Sequence, residues 1–101
     1  MSGIKDLVEK LIQENPIMIF SKSYCPYCKK AKETIEGLRK KYKAFEIDEA
    51  DNGSAIQDYL KEKTSQRTVP NIFIDGKHVG GCDSLLAAKD DGSLEKMIAN
   101  L

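Results

Sequence analysis

Ile17-Met18-Ile19-Phe20-Ser21-Lys22-Ser23-Tyr24-Cys25-Pro26-Tyr27-Cys28 is the stretch on which the fold turns. Its first four residues are apolar throughout, the pattern of a strand covered on both faces. Ser21 to Tyr24 follow as a short polar loop. From Cys25 onward, Cys28, Ala31, Ile35, Leu38 and Tyr42 keep a helical period, and Pro26 suits a first helical turn, where its missing N–H costs nothing. Strand, loop and helix therefore succeed one another, with two cysteines three positions apart where the helix begins.

Reading outward from this unit, Ile4, Leu7, Val8, Leu11 and Ile12 predict an N-terminal helix with Ser2 as its candidate cap, stopped by Asn15-Pro16. Ala44 to Asp48 alternates apolar and polar as a second strand. Ser54-Ala55-Ile56-Gln57 has the spacing of a capping box that opens a helix running to about Lys63, which completes a β-α-β unit. Ile72-Phe73-Ile74 and Lys77 to Val79 flank Asp75-Gly76, a tight-hairpin dipeptide, so the last two strands run antiparallel and the sheet is mixed. Asp83 or Ser84 caps a short helix to about Lys89. Ser93 caps a last one, with Leu94, Met97, Ile98 and Leu101 on one face. No repeat, linker or low-complexity tract interrupts the chain, and a single domain over residues 1–101 is expected.

Composition limits what such a domain does. With 101 residues, 41% hydrophobic and 32% charged, the chain has enough apolar surface to offset the entropy of ordering it. Sixteen Lys and Arg cancel sixteen Asp and Glu, so no overall field draws nucleic acid. Locally, residues 29–43 carry seven Lys or Arg against two Glu, and residues 44–62 carry six acids against one Lys. Without interleaved aromatics these runs read as solvated faces and not as a nucleic-acid site. No apolar run approaches the roughly 20 residues of a membrane span. Three cysteines, an odd number with two closely spaced, do not make a secreted disulfide framework; a reducing compartment, the cytoplasm, is the expected location.

The Cys25-Pro26-Tyr27-Cys28 motif carries chemistry because a thiol attacks only as its thiolate, so some feature must lower its pKa. At a helix start, the Cys25 sulfur meets unpaired N–H groups and the positive end of the helix dipole, with Lys22 adding charge from the loop. Cys28, one turn deeper on the same face, is within disulfide reach but more buried. This divides an attacking from a resolving cysteine. The competing reading is half of a zinc site. Zinc sites normally supply a second matched pair, and here only His78 and Cys82, more widely spaced, could complete one. The strand-then-helix context favours redox chemistry, and no metal is expected.

Taken together, Lys22-Ser-Tyr-Cys25-Pro-Tyr-Cys28, Thr68-Val69-Pro70 before a strand, and Gly80-Gly81-Cys82-Asp83 before a helix resemble the dithiol class of glutaredoxins over essentially the whole chain. The tryptophan that precedes the thioredoxin motif is missing, as is the Gly-Phe-Ser that follows the first cysteine in the single-cysteine branch. The resemblance implies an α/β chain with a thioredoxin-like fold, a central four-stranded mixed β-sheet flanked by α-helices. It implies an enzyme, a glutathione-dependent thiol–disulfide oxidoreductase acting as a monomer on glutathionylated and disulfide-containing proteins. Glutathione is its reducing co-substrate. Pro70 would be cis, although an X-Pro bond by itself favours trans. Val69 would offer its backbone to the cysteinyl part of glutathione, with Thr68 and Tyr27 alongside. Gly81, Cys82 and Asp83, assisted by Ser84, would take the γ-glutamyl end, and Lys22 with Gln57 the glycine carboxylate. Gln57 has a competing role in the capping box, Arg67 is a weaker carboxylate partner, and Cys82 is expected to be a small buried residue that could still be oxidised.

Overall fold

The computed structural model describes residues 2–101. Helix α1 (Ser2–Glu14) leads into strand β1 (Ile17–Ser21), helix α2 (Pro26–Gly37) and strand β2 (Lys43–Glu46). A single 3₁₀ turn, Ile47–Glu49, precedes α3 (Gly53–Thr64). Strands β3 (Asn71–Ile74) and β4 (Lys77–Gly80) form a hairpin, and α4 (Cys82–Asp91) and α5 (Ser93–Ile98) close the chain. The sheet order is β2-β1-β3-β4, with β1 parallel to β2 and antiparallel to β3. Asp75 and Gly76 both have positive φ, 53° and 79°, as a two-residue hairpin of this hand requires.

The reason β1 is apolar from Ile17 to Phe20 is its central place. Met18 and Phe20 point into one core, with Val8 and Ile12 of α1, Ile56 and Leu60 of α3, and Phe73. Ile17 and Ile19 point the other way, against Ala31 and Ile35 of α2, Leu85 and Ala88 of α4, and Leu94 and Ile98 of α5. A strand's two-residue side-chain period thus divides one sequence between two cores. Burying each such Ile, Phe or Leu contributes about 1.5–3 kcal/mol.

Several local expectations shift. Helix α2 stops at Gly37 and does not continue to Tyr42: Arg39 takes a left-handed φ of 59° and turns the chain. Leu38 and Tyr42 nevertheless pack against the same core, which is why their spacing prolonged the helical pattern. The second strand ends at Glu46, and Ile47 to Glu49 coil into the 3₁₀ turn. The capping box is not made. The N-cap lies two residues earlier than Ser54, at Asn52, which makes no side-chain cap bond, and α3 starts at Gly53. A Cβ on Gly53 would lie 2.3 Å from the Ile47 carbonyl oxygen, so the close approach of the helix start to that turn sets the boundary. Gly81 and Gly92, not Asp83, Ser84 or Ser93, occupy the N-cap positions of α4 and α5, while Asp91 Oδ1 accepts the Ser93 N–H at 2.8 Å. The structure describes the backbone of Ser2 but not its side chain, so the expected capping by Ser2 lies outside what is described.

Candidate active site

Cys25 is the N-cap residue of α2 and Pro26 fills the first helical position. The loop before it is held at two points. Cys25 N–H donates to the Lys22 carbonyl at 3.1 Å, and Asp48 accepts both the Ser23 N–H, at 2.9 Å, and the Ser23 hydroxyl. The Cys25 sulfur accepts the Cys28 N–H at 3.4 Å, the geometry expected at a helix start. Partial burial, the largest single influence, favours its thiol form. The Cys28 N–H and thiol, the Tyr27 N–H and the Lys22 charge together outweigh it, and the Cys25 pKa lies below its ordinary value.

Cys28 has no exposed surface. Burial pushes its thiol up to about 11, the Cys25 sulfur adds to the shift, and the Lys22 N–H, 3.5 Å from Sγ, opposes it. The Ser21 hydroxyl also acts on Cys28. Ser21 is itself fully buried and donates to Glu46 Oε1 at 2.6 Å, and Lys32 Nζ holds the second Glu46 oxygen, also at 2.6 Å. All three cysteines are free thiols. One sulfur is activated and partly accessible; the other is protonated and enclosed.

Two depressions meet along Thr68 and Val69 beside these cysteines. The first, about 360 Å³, runs between Tyr27, Thr68 to Pro70 and Gly81 to Ser84. The second, about 480 Å³, holds Lys22, Cys25, Gln57, Thr68 and Val69. The eleven residues expected around a ligand thus line these two adjoining depressions, which together form the groove beside Cys25. Val69 and Pro70 are joined by a cis peptide bond. Among the described residues, no hydrogen bond engages the Val69 N–H or carbonyl. Gly80 adopts a φ of 122°, and a Cβ there would meet Ser84 Oγ at 2.7 Å, so glycine is needed to bring the chain into α4 beside the groove. Cys82 is buried with its thiol pKa raised, by burial first and then by the Asp83 charge.

Gln57 is buried, and its Nε2 donates to the Arg67 carbonyl at 3.0 Å, so its side chain leaves the helix start and reaches toward the groove. Arg67 also lines the groove, but its Nε is engaged by Asp58 Oδ1 at 3.1 Å. His78 packs at a tilt of 49° against Phe73, with ring centroids 5.3 Å apart, and lines a different hollow with Lys96 and Met97. Among the described residues, no group of three His, Cys, Asp or Glu could hold a metal ion. Sequence reading missed four participants. Asp48 and Glu46 act across strands and give no local signal, whereas Tyr24 and Gln66 adjoin recognised motifs and line the groove.

A mixed four-stranded sheet with a Cys-x-x-Cys at the start of a helix, facing a cis-proline loop, defines a thiol–disulfide oxidoreductase of thioredoxin-like fold. Comparison with known proteins narrows the class. The glutaredoxin family model matches residues 17–79. Glutaredoxin-1 of Rhizophagus irregularis is 71% identical over 101 residues, all of both chains, and glutaredoxin-2 of Schizosaccharomyces pombe is 50% identical over 96% of this chain and 88% of its own. The crystal structure of a buckwheat glutaredoxin–glutathione complex superposes with a TM-score of 0.95 at 42% identity, covering 97% of this chain and 89% of that one. The chain belongs to the glutaredoxin family.

Proposed function

We propose that this enzyme uses glutathione to reduce protein–glutathione mixed disulfides through Cys25 alone, and protein disulfides through Cys25 and Cys28 together. The observation that carries the reading is the unpartnered Val69 backbone beside an activated Cys25, in a groove with a Lys22 cation toward one end and an Asp83 anion toward the other. Glutathione has two carboxylates, one ammonium and a cysteinyl backbone between them. Strand-like pairing with Val69 would place its sulfur against Cys25. Lys22 and Gln57 would take the glycine carboxylate. The first turn of α4, with Gly81, Cys82, Asp83 and Ser84, would take the γ-glutamyl end: free N–H groups for its carboxylate and Asp83 for its ammonium. Thr68, Pro70 and Tyr27 complete the walls.

In the first route the Cys25 thiolate attacks the glutathionyl sulfur, the S–S bond to the substrate breaks, and the substrate leaves as a thiolate that takes a proton. A second glutathione thiolate then attacks the Cys25-bound sulfur, giving glutathione disulfide and free Cys25. In the second route the Cys25 thiolate attacks one sulfur of the substrate disulfide, breaking its S–S bond and expelling the other sulfur as a thiolate that takes a proton. Cys28 then loses its proton to solvent and attacks the Cys25 sulfur, displacing the substrate sulfur bound there as the second thiol, and two glutathiones reduce the Cys25–Cys28 disulfide and leave as glutathione disulfide. Glutaredoxin pairs have potentials of about −200 to −230 mV, near the cytosolic glutathione poise, so the glutathione ratio sets the direction. This suits a monomer working in the cytoplasm. The test is glutathione-dependent release from a glutathionylated protein. Cys28→Ser is expected to keep that activity while losing most protein-disulfide reduction, and Cys25→Ser to lose both; activity surviving in Cys25→Ser would overturn the assignment.

A further inference from the structure

We propose that Gln66 is a positioning residue that clamps the groove's backbone ridge, keeping the Val69 N–H and carbonyl aligned for the cysteinyl backbone of a glutathionyl substrate. The inference rests on reading the groove as a glutathione site. Gln66 lines the groove, yet its amide nitrogen is already committed. Nε2 has two hydrogens, and both are used: one on the Thr68 carbonyl at 3.0 Å, the other on the Pro70 carbonyl at 2.9 Å. Both partners only accept, which fixes the orientation of the amide. These two carbonyls flank Val69 on either side in the chain, and Val69 alone of the three is left free to pair with a ligand.

The clamp is anchored from behind. The Gln66 N–H donates to Thr64 Oγ1 at 3.1 Å, and Thr64 Oγ1 in turn donates to the Leu60 carbonyl at 2.7 Å, tying Gln66 to the end of α3. The Gln66 carbonyl accepts from Asn71 Nδ2 at 3.2 Å, and Asn71, fully buried, is the first residue of β3. On the far side, the positions a Cβ would take on Gly80 and Gly81 lie 3.9 Å from Oε1 and Nε2 of Gln66. The side chain is therefore wedged between the ridge and the turn into α4, so its loss would free the ridge where a ligand must find it ordered. Ordering a segment at the moment of binding weakens binding; a pre-fixed segment avoids that penalty.

The experiment compares two disulfide substrates that differ only at the pairing atom: a glutathionylated peptide, and the same peptide bearing glutathione methylated on its cysteinyl nitrogen. Both carry the same charges and the same sulfur. The unaltered enzyme is expected to favour the first by about tenfold in kcat/KM, the value of one well-formed hydrogen bond. Gln66→Met, close in shape and without a donor, is expected to narrow that ratio to about twofold or less, mostly through KM. Its alkylation of Cys25 against pH should match the parent's. Gln66→Glu, of the same shape and again without a donor, should narrow the ratio equally, so a folding defect peculiar to one variant does not decide the result. An unchanged ratio in both variants overturns the clamp, as does an equal loss on both substrates with a shifted alkylation profile. No discrimination by the unaltered enzyme would overturn the glutathione reading of Val69 itself, an outcome distinct from failure of the clamp.

Discussion

Alkylation of the two motif cysteines with iodoacetamide, followed against pH and resolved by peptide mass, tests the division between attacker and resolver. With its thiol pushed up to about 11, Cys28 is ionised to only about one part in 10⁴ at pH 7, against about three parts in 100 for an unperturbed thiol at about 8.5. Ionisation alone slows it by about 300-fold. Higher basicity makes the thiolate it does form more nucleophilic, by about 10- to 20-fold for a Brønsted slope of about 0.4–0.5. The balance leaves Cys28 about 15- to 30-fold slower than an ordinary cysteine, before its complete burial is counted. Cys25 departs in the other direction. Its pKa is lowered, so its labelling rate should level off while that of Cys28 is still climbing. In Cys25→Ser the contribution of the neighbouring sulfur disappears, but burial, the largest cause, remains, and Cys28 should still titrate above an ordinary thiol. Equal labelling of both residues at pH 7, or a Cys28 profile that saturates near 8.5, would refute this account.

Two other substitutions probe the ligand groove and the scaffold behind it. Asp83→Lys should raise KM for a glutathionylated substrate by about tenfold or more while changing the reduction of a small disulfide without a γ-glutamyl group by less than about twofold; equal losses with an unchanged circular dichroism spectrum would assign Asp83 to its helix and not to the ligand. Gly53→Ala forces a methyl into the Ile47 carbonyl, 2.3 Å away, and should cost about 1–3 kcal/mol, read as a fall of several degrees in the thermal midpoint.

Much of this arrangement was legible because its signals are local. The unbroken apolar run of β1, the Asp75-Gly76 turn and the Cys-x-x-Cys at a helix start each depend on neighbours within a few residues. The misread boundaries have a common cause, since in each case a tertiary contact overrode a local pattern. Ser54 and Gln57 have capping-box spacing, but the Ile47 carbonyl leaves room for Gly53 alone, so α3 begins early and Gln57 is released to bond the Arg67 carbonyl. Leu38 and Tyr42 continue the periodicity of α2 because both pack on its core from an irregular segment. Asp48, which fixes Ser23, and Glu46, which takes the Ser21 hydroxyl, are partners 25 residues away. A carboxylate at that separation looks like any surface acid until the strands are paired.

The site residues also come together for a reason the hairpin turn discloses only in part. Antiparallel pairing of β3 and β4 sets Thr68-Val69-Pro70, before β3, at the same end as Gly80, the last residue of β4, and Gly81 just after it. That much follows from Asp75-Gly76. The antiparallel pairing of β1 with β3, which opposes Phe20 to Asn71, brings the Lys22 to Cys28 segment to that end as well. The three motifs thus emerge from three adjacent strands, and two strand spacings of about 4.8 Å separate the outer pair by about 10 Å. An extended tripeptide spans about the same length at roughly 3.3–3.6 Å per residue. A ligand of that size, lying across the strand ends with its middle residue over Val69, would meet Lys22 on one side and the start of α4 on the other. The sheet order therefore supplies the scale that the proposed substrate requires, with Cys25 and Val69 lining the same depression.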